Sequence, residues 1–382
     1  MAEGEVQTQV DINNPAESGQ DVDIPEHPHE GANSEIDHEL EGLLQKQSAR
    51  VKVIGCGGGG GNTVTRMKEI GIKGCEIFAV NTDAQDLLYT NVDTKILIGR
   101  ELTNGLGAGS NPKIGEQAAK ESEQELRKKL ADSDLVFITC GLGGGTGTGS
   151  APVIAEVSKK QGALTIGVVT LPFTVEGQKR IENSQYGLEK LASIVDTLIV
   201  IPNDKLLELA PELPMHTAFK VADEILTNAV KGITELITKA GLVNLDFADV
   251  KAVMSNGGVS LIGIGESDTQ DRAKEAVEKA VSNPLLDVDI ANANGALVYM
   301  VGGNDMSLDE YKKVMEIIGE KVSPDAKIIS GAQISADMEN AIKILLIVTG
   351  VKSSQILGSE IDVGKTEQGA LEEELGIDFV DE

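Results

Sequence analysis

Up to about residue 240, two rhythms of apolar and polar positions alternate along the chain. Short apolar runs rich in β-formers recur at Val51–Ile54, Ile77–Val80, Leu135–Cys140, Thr165–Thr170 and Thr197–Ile201. Each is too short for a helix and predicts a buried strand. Between them, small and apolar residues return at helical spacing over Thr63–Ile70, Ile114–Leu130, Ser150–Gln161 and a stretch that follows Arg180 and ends near Ile194. Strand alternating with helix predicts an α/β domain with a Rossmann-like parallel sheet. From Thr217 to Ala240 the apolar positions Phe219, Ala222, Ile225, Leu226, Ala229, Ile233, Leu236 and Ile237 trace one stripe of a long amphipathic helix, closed by Gly241.

Beyond Gly258 the pattern changes. Strands are expected at Val259–Ile264, Ala296–Val301, Lys327–Ser330 and Ile342–Gly350, with helices at Asp271–Ser282 and Leu308–Val322. This is a smaller α+β domain without glycine-rich phosphate turns. The expected organisation is therefore an acidic extension over 1–48, an α/β domain over 49–216, a central helix over 217–240, an α+β domain over 241–358 and an acidic tail over 359–382.

Charge sharpens those outer boundaries. The net charge of −28 is concentrated at the ends, with −11 in residues 1–48 and −8 in 359–382, leaving −9 for the body. Both ends have the composition of disordered segments, apart from a short helix expected over 36–47. An acidic body without a basic stripe argues against nucleic-acid binding. Cys56, Cys75 and Cys140 lie in or beside apolar segments without metal-like spacing and read as reduced core thiols. The chain shows no apolar run that would span a bilayer and no signal peptide, which points to the cytoplasm. His27, His29 and His38 fall in the extension and His216 stands alone, so histidine chemistry is not expected.

The candidate chemistry lies in three glycine turns, each feeding a helix. Gly141–Gly149 reads G-L-G-G-G-T-G-T-G between a strand and a helix. Glycines let backbone N–H groups crowd around an anion, and the helix N-terminus adds positive charge. Thr146 and Thr148 offer hydroxyls to phosphate or to a metal-bound water. Gly55–Asn62 contains G-x-G-x-x-G, and Asp83 lies where a ribose-binding acid of a dinucleotide fold would stand. Taken alone, that pair suggests an NAD-dependent dehydrogenase. Gly105–Pro112 supplies a third turn, and three such turns fit a nucleotide triphosphate better than one nicotinamide cofactor. Glu176 and Arg180 suit a sugar hydroxyl and an anion, or simply an i, i+4 ion pair. Asn244, Asp246 and Asp249 cluster at a helix start, where capping accounts for one of them and a carboxylate pair able to polarise a water or hold a cation accounts for more.

The G-G-G-T-G-T-G at Gly143–Gly149 resembles the signature of the tubulin/FtsZ superfamily, and the fuller match is with FtsZ, the prokaryotic cell-division GTPases. N-T-D-A-Q at Asn81–Gln85, G-L-G-A-G-S-N-P at Gly105–Pro112, I-P-N-D-K at Ile201–Lys205 and N-L-D-F-A-D-V at Asn244–Val250 carry the resemblance through most of 50–358, and their wording is most similar to archaeal members. One departure is the first turn, Gly59-Gly60-Gly61-Asn62, where archaeal relatives often have an alanine and a second asparagine.

The resemblance implies a GTPase that polymerises head-to-tail into the filaments of a mid-cell division ring on the inner face of the membrane. It implies that Gly58, Gly59, Gly60, Gly61 and Asn62 wrap the phosphates. Gly145, Thr146 and Gly147 would hold the β- and γ-phosphates and place Mg²⁺, with Ala108 and Gly109 sensing the γ-phosphate. Glu176 and Arg180 would bind ribose and phosphate, Asn203 and Asp223 would read guanine, and Phe219 would stack on it. Asn244, Asp246 and Asp249 would enter the next subunit's site, so that hydrolysis is completed in trans. Leu375–Val380 is similar in character to the family's peptide for membrane-tethering division proteins. A nucleotide-binding polymer scaffold with a supporting role in division or cell shape is the other expectation.

Overall fold

Strand β1 (Val51–Cys56) is apolar on both faces, with only Lys52 less than buried, as a central parallel strand covered by helices on each side requires. In the computed structural model, which describes residues 49–209, 214–238, 242–243, 245–255, 257–286 and 290–351, it lies at the middle of a parallel array. The array contains β2 (Cys75–Asn81), β3 (Thr94–Leu97), β4 (Leu135–Gly141), β5 (Leu164–Leu171) and β6 (Thr197–Pro202), in the order β3-β2-β1-β4-β5-β6. Four more strands, β7 (Gly258–Ser267), β8 (Gly295–Gly302), β9 (Lys327–Ile334) and β10 (Ile342–Thr349), continue the same sheet in the order β7-β10-β8-β9. The join is narrow: β6 and β7 pair in parallel through Thr197–Gly258, Leu198–Val259 and Ile199–Ser260. Beyond it β10 runs antiparallel to both β7 and β8. The fold is thus α/β of the tubulin/FtsZ type, with the α+β segment extending the sheet of the first domain.

The helices are α1 (Gly57–Glu69), α2 (Ala84–Tyr89), α3 (Arg100–Thr103), α4 (Pro112–Glu121), α5 (Glu123–Lys129), α6 (Thr146–Lys160), α7 (Gln178–Ala192), α8 (Asn203–Leu209), α9 (Met215–Thr238), α10 (Phe247–Met254), α11 (Arg272–Val281) and α12 (Leu308–Lys321). Side chains alternate along each strand, so each sheet face has its own core. Phe78, Ile138, Leu198 and Leu346 point to one face, and their neighbours Ile77, Phe137, Ile199 and Leu345 to the other.

Helix α9 spans 24 residues, about 36 Å at the α-helical rise. Near its start, Phe219, Ala222, Asp223 and Leu226 line a crevice at the carboxyl ends of β1, β4, β5 and β6. Near its end, Thr238 packs on Gly74, just before β2 begins. The helix therefore runs from the carboxyl ends of the strands to the amino end of β2. No helix of the described residues is long and apolar enough to cross a membrane.

Several boundaries differ from the sequence reading. α1 starts at Gly57 rather than Thr63, and α6 at Thr146 rather than Ser150, so the glycine motifs contain the first helical turns. Glycine's poor helix propensity hides such starts. The helix expected over Ile114–Leu130 is two, broken at Ser122. Cys56 and Cys140 are buried, whereas Cys75 is half-buried. The helix expected over 36–47, His27, His29 and His38, Asn244 and Leu375–Val380 lie outside the described residues.

Candidate nucleotide site

Helices α1 and α6 begin at the ends of β1 and β4 without side-chain caps, and neither first turn carries an acid. Elsewhere Asp83 caps α2 and Asn111 caps α4. The uncapped pair therefore leaves first-turn N–H donors and partial positive charge free for an anion. Both helices open on a crevice of about 350 Å³. It lies where the strand order reverses between β1 and β4, the usual ligand position of an open α/β sheet. The two turns touch: Gly57 has φ +69°, and a Cβ there would lie 2.7 Å from the Gly147 nitrogen. A residue with a side chain at Gly57 would be strained and would push the two anion-binding ends apart.

Gly58, Gly59 and Asn62 line the crevice from α1, and Gly145, Thr146 and Gly147 line it from the start of α6. The Thr146 hydroxyl is 2.6 Å from that of Thr82 at the end of β2. Among the described residues no three His, Cys, Asp or Glu side chains converge as a metal site. A cation here would thus take its oxygens from phosphates, water and hydroxyls such as that of Thr146.

Glu176 and Arg180 also line the crevice and form an ion pair with each other. Glu176 accepts from the Phe173 N–H at 2.9 Å. Asp204 in turn accepts from the Thr174 N–H at 3.0 Å, tying the turn that carries Glu176 to α8. Asn203 is 4% exposed, and its Oδ1 is buried without a hydrogen-bond partner in the protein. A buried orphan acceptor facing a crevice is a group that awaits a donor. Phe219 meets Phe173 edge to face, with centroids 5.3 Å apart, and keeps 37% of its surface open. Burial raises the Asp223 carboxyl above its ordinary value, opposed by the hydroxyl of Thr63 and by the charge of Arg66.

Other expected site residues are placed differently. Gly60 and Gly61 are outside the lining. Gly60 turns to the sheet, where a Cβ would meet the Thr139 carbonyl at 2.5 Å, and Gly61 faces Thr90. Ala108 and Gly109 are outside it too, with Ala108 packed behind Gly145. Thr148 is fully buried and accepts the Gly143 N–H at 2.9 Å, so it braces the turn instead of meeting a ligand. Asp83 is occupied by the N–H groups of Gln85 and Asp86 and does not line the crevice, which removes the acid a dehydrogenase reading needs. The sequence reading gave no site role to Thr170 and Pro172, which also line the crevice. Their only sequence signal is position at a strand's carboxyl end.

Asp246 and Asp249 lie outside the crevice lining, at the start of α10. Asp246 caps α10, accepting the Asp249 N–H at 2.8 Å, and both residues are exposed. The preceding residues are pinned to β9 by the Leu242 N–H on the Ala332 carbonyl, at 2.9 Å. α10 ends where the Met254 carbonyl accepts the hydroxyl of Thr197, the first residue of β6.

Fold and crevice together define a GTPase of the tubulin class. A model of the Tubulin/FtsZ family GTPase domain matches residues 50–211, and one of the FtsZ family C-terminal domain matches 258–352. Cell division protein FtsZ 1 of Thermococcus kodakarensis is 59% identical over 87% of this chain and 89% of its own length. FtsZ 1 of Methanocaldococcus jannaschii is also 59% identical, over 83% and 87%. The structure of an empty FtsZ dimer from M. jannaschii superposes with a TM-score of 0.79, covering 83% of this chain and 92% of that one. CetZ1 of Haloferax volcanii, solved as a GDP-bound monomer, shares the fold at 23% identity, with a TM-score of 0.71 and coverage of 81% and 96%. The chain belongs to the FtsZ family.

Proposed function

We propose that this protein polymerises head-to-tail and hydrolyses GTP at the contact between successive subunits, as the filament of a cell-division ring. The observation that carries this reading is the separation of two half-sites. The nucleotide crevice opens at the carboxyl ends of β1, β4, β5 and β6, while Asp246 and Asp249 stand exposed outside its lining at the start of α10, which follows the far end of α9 in the chain. Phosphoryl transfer to water needs an aligned nucleophile and stabilised charge. The crevice offers the anion cradle, but its only carboxylates among the described residues, Glu176 and Asp223, are engaged by Arg180 and Thr63. Stacking one subunit on the next brings the two aspartates over the phosphates, with Asn244 alongside, and such a heterologous contact repeats without closing.

In this reading Asn203 and Asp223 take the guanine donors, Phe219 takes the base face, and Glu176 and Arg180 take ribose and phosphate. Gly58, Gly59 and Asn62 surround the phosphates, with Gly60 and Gly61 shaping that turn from behind. Gly145, Thr146 and Gly147 hold the phosphate chain and a Mg²⁺ on it, and Ala108 and Gly109 sense its end. The filament works in the cytoplasm at the division site, where Leu375–Val380 meets membrane-tethering partners. The M. jannaschii FtsZ structure is that of a dimer, and such self-association supports the polymer reading.

The test is GTP turnover per subunit against protein concentration, with light scattering read on the same samples. Specific activity near zero when dilute, rising steeply as scattering appears, is the expected result. Constant specific activity without scattering would show that each chain holds a complete site and end the shared-site proposal.

A further inference from the structure

Asn183 lies one turn beyond Arg180 on α7 and is 6% exposed. Its side-chain amide donates to two main-chain carbonyls, Ser110 at 3.0 Å and Gly143 at 3.2 Å. Both neighbours are acceptors only, which fixes the amide with its nitrogen toward them. The two carbonyls belong to different glycine turns. Gly143 sits between β4 and α6 with φ +107°, and a Cβ there would meet the Arg180 carbonyl at 2.9 Å. Its N–H is taken by the buried Thr148 hydroxyl, so both of its polar groups are held by buried side chains. Ser110 closes a segment in which Gly105, Gly107, Gly109 and Ser110 itself all have positive φ. Such a backbone keeps its shape only where its surroundings impose it.

The second turn touches the anion end of the crevice from behind. A Cβ on Gly145, the residue from which α6 starts, would lie 2.9 Å from the Ala108 Cβ and 2.8 Å from the Asn111 nitrogen. Whatever presses on the front of Gly145 is therefore resisted by Ala108 and Asn111. Asn183 fixes how far that support stands from the Gly143 turn.

We infer that Asn183 is a positioning residue for the terminal phosphate: by locking the 105–112 turn to the 143–147 turn it sets the preference for a nucleoside triphosphate over the diphosphate. The inference rests on the assignment of the crevice as the guanosine-nucleotide site. In the proposed assignment the phosphates common to both nucleotides meet Gly58, Gly59 and Asn62 of α1, which Asn183 does not touch, and the terminal phosphate loads Gly145 and the turn behind it. Without the lock that turn must be ordered as the triphosphate binds, and the ordering subtracts from affinity.

The test is competition of GTP and of GDP against a fluorescent GDP analogue, on wild type and Asn183→Leu, below the concentration at which scattering appears. Expected for the variant is GDP affinity within about twofold of wild type and GTP affinity lower by about tenfold, the scale of losing one or two hydrogen bonds. Both affinities falling by one factor, or neither changing, overturns the inference and leaves the site assignment standing. Wild type binding neither nucleotide overturns the site assignment and the inference with it. Should Asn183→Leu fail to melt cooperatively, Asn183→Ser, too short to reach either carbonyl, is read in the same way.

Discussion

The Thr63 hydroxyl lies 2.6 Å from a carboxylate oxygen of Asp223, joining the helix that follows the first glycine turn to the long helix α9. The same hydroxyl is 3.1 Å from the Gly59 carbonyl, so one side chain ties the phosphate end of the crevice to the residue proposed to read the base. Asp223 is held in place by this contact through one carboxylate oxygen.

That relationship sets a prediction of opposite signs for binding and stability. Burial raises the Asp223 carboxyl, so in the free protein its charged form is disfavoured and its contribution to stability is lost as pH rises through the folded value. Asp223→Asn keeps an acceptor for Thr63 and removes the buried charge, and the free variant should melt no lower than wild type at neutral pH. Guanine, however, offers two donors to a carboxylate. The variant should bind GTP about 10- to 100-fold more weakly, as expected for charged hydrogen bonds. Wild-type affinity should also weaken on acidification through the raised value, a dependence the variant lacks. Calorimetric titration of GTP across pH, with melting of the free proteins, checks both signs.

Asp246 and Asp249 separate structure from chemistry within one turn. Asp246→Ala removes a helix cap and should cost about 1 kcal/mol of stability as well as turnover. Asp249→Ala keeps the backbone N–H that the cap needs, so stability and GTP binding should remain while turnover is abolished. Mixing Asp249→Ala with Asp223→Asn is the stricter measurement. One supplies an intact crevice and the other intact aspartates, and at a GTP concentration too low to fill the Asp223→Asn crevice, recovery of turnover that neither shows alone requires a site made of two subunits.

How much of this was legible in the sequence depends on what each residue answers to. The strands were readable because burial on both sheet faces demands unbroken apolar runs, as in Leu135–Cys140. β3, with Lys95 in its four residues, carried no such run. Crevice residues were found where a motif surrounds them, as at Gly145–Gly147, or where the family resemblance pointed, as at Asn203 and Asp223. Thr148 misled because T-G-T places two similar hydroxyls two positions apart on one helix, and only packing decides that one faces the crevice while the other braces Gly143. The capping role of Asp83 was hidden for a similar reason: an acid after a strand serves a ribose or a helix start equally well until the helix is seen.

Two glycines in the phosphate turns should respond oppositely to alanine. At Gly60 a Cβ would meet the Thr139 carbonyl at 2.5 Å and the Gly55 carbonyl carbon at 2.9 Å, both backbone atoms that cannot swing aside. Gly60→Ala should destabilise by about 1–3 kcal/mol, the range for overpacked sites. At Gly144 nothing lies within 4 Å of the added atom, yet the residue lines the crevice. Gly144→Ala should keep its stability within about 0.5 kcal/mol and lose GTP affinity. Denaturant melts paired with nucleotide titrations distinguish a glycine kept for folding from one kept for the ligand.

Far from the nucleotide, Arg272 staples α11 to α12 and should dominate the acid response of the β7–β10 half. Its side chain is 10% exposed, and it donates to Glu310 at 2.7 and 3.2 Å and to Asp305 at 2.5 Å. Glu310 also accepts the Ser307 N–H at 2.8 Å, completing a capping box at the start of α12. The Arg272 guanidinium, with the Ser307 bonds behind it, pulls the Glu310 carboxyl from 4.5 to about 2. A depressed acid contributes stability that is present above its unfolded value and lost as pH falls through its folded one. Glu310→Gln should therefore cost about 2–3 kcal/mol at pH 7, below the full figure for breaking a buried pair because Glu310 is 21% exposed. The gap to wild type should close between about pH 5 and pH 2, because protonation makes the wild-type side chain resemble the amide. Glu69→Gln is the matched control: its pair with Arg66 is over half exposed on both sides and should contribute less than about 1 kcal/mol at any pH. Urea titrations of the three proteins at stepped pH test the assignment, and a gap that persists unchanged at pH 2 would show that the α12 cap, rather than the charge on Glu310, is what holds the two helices together.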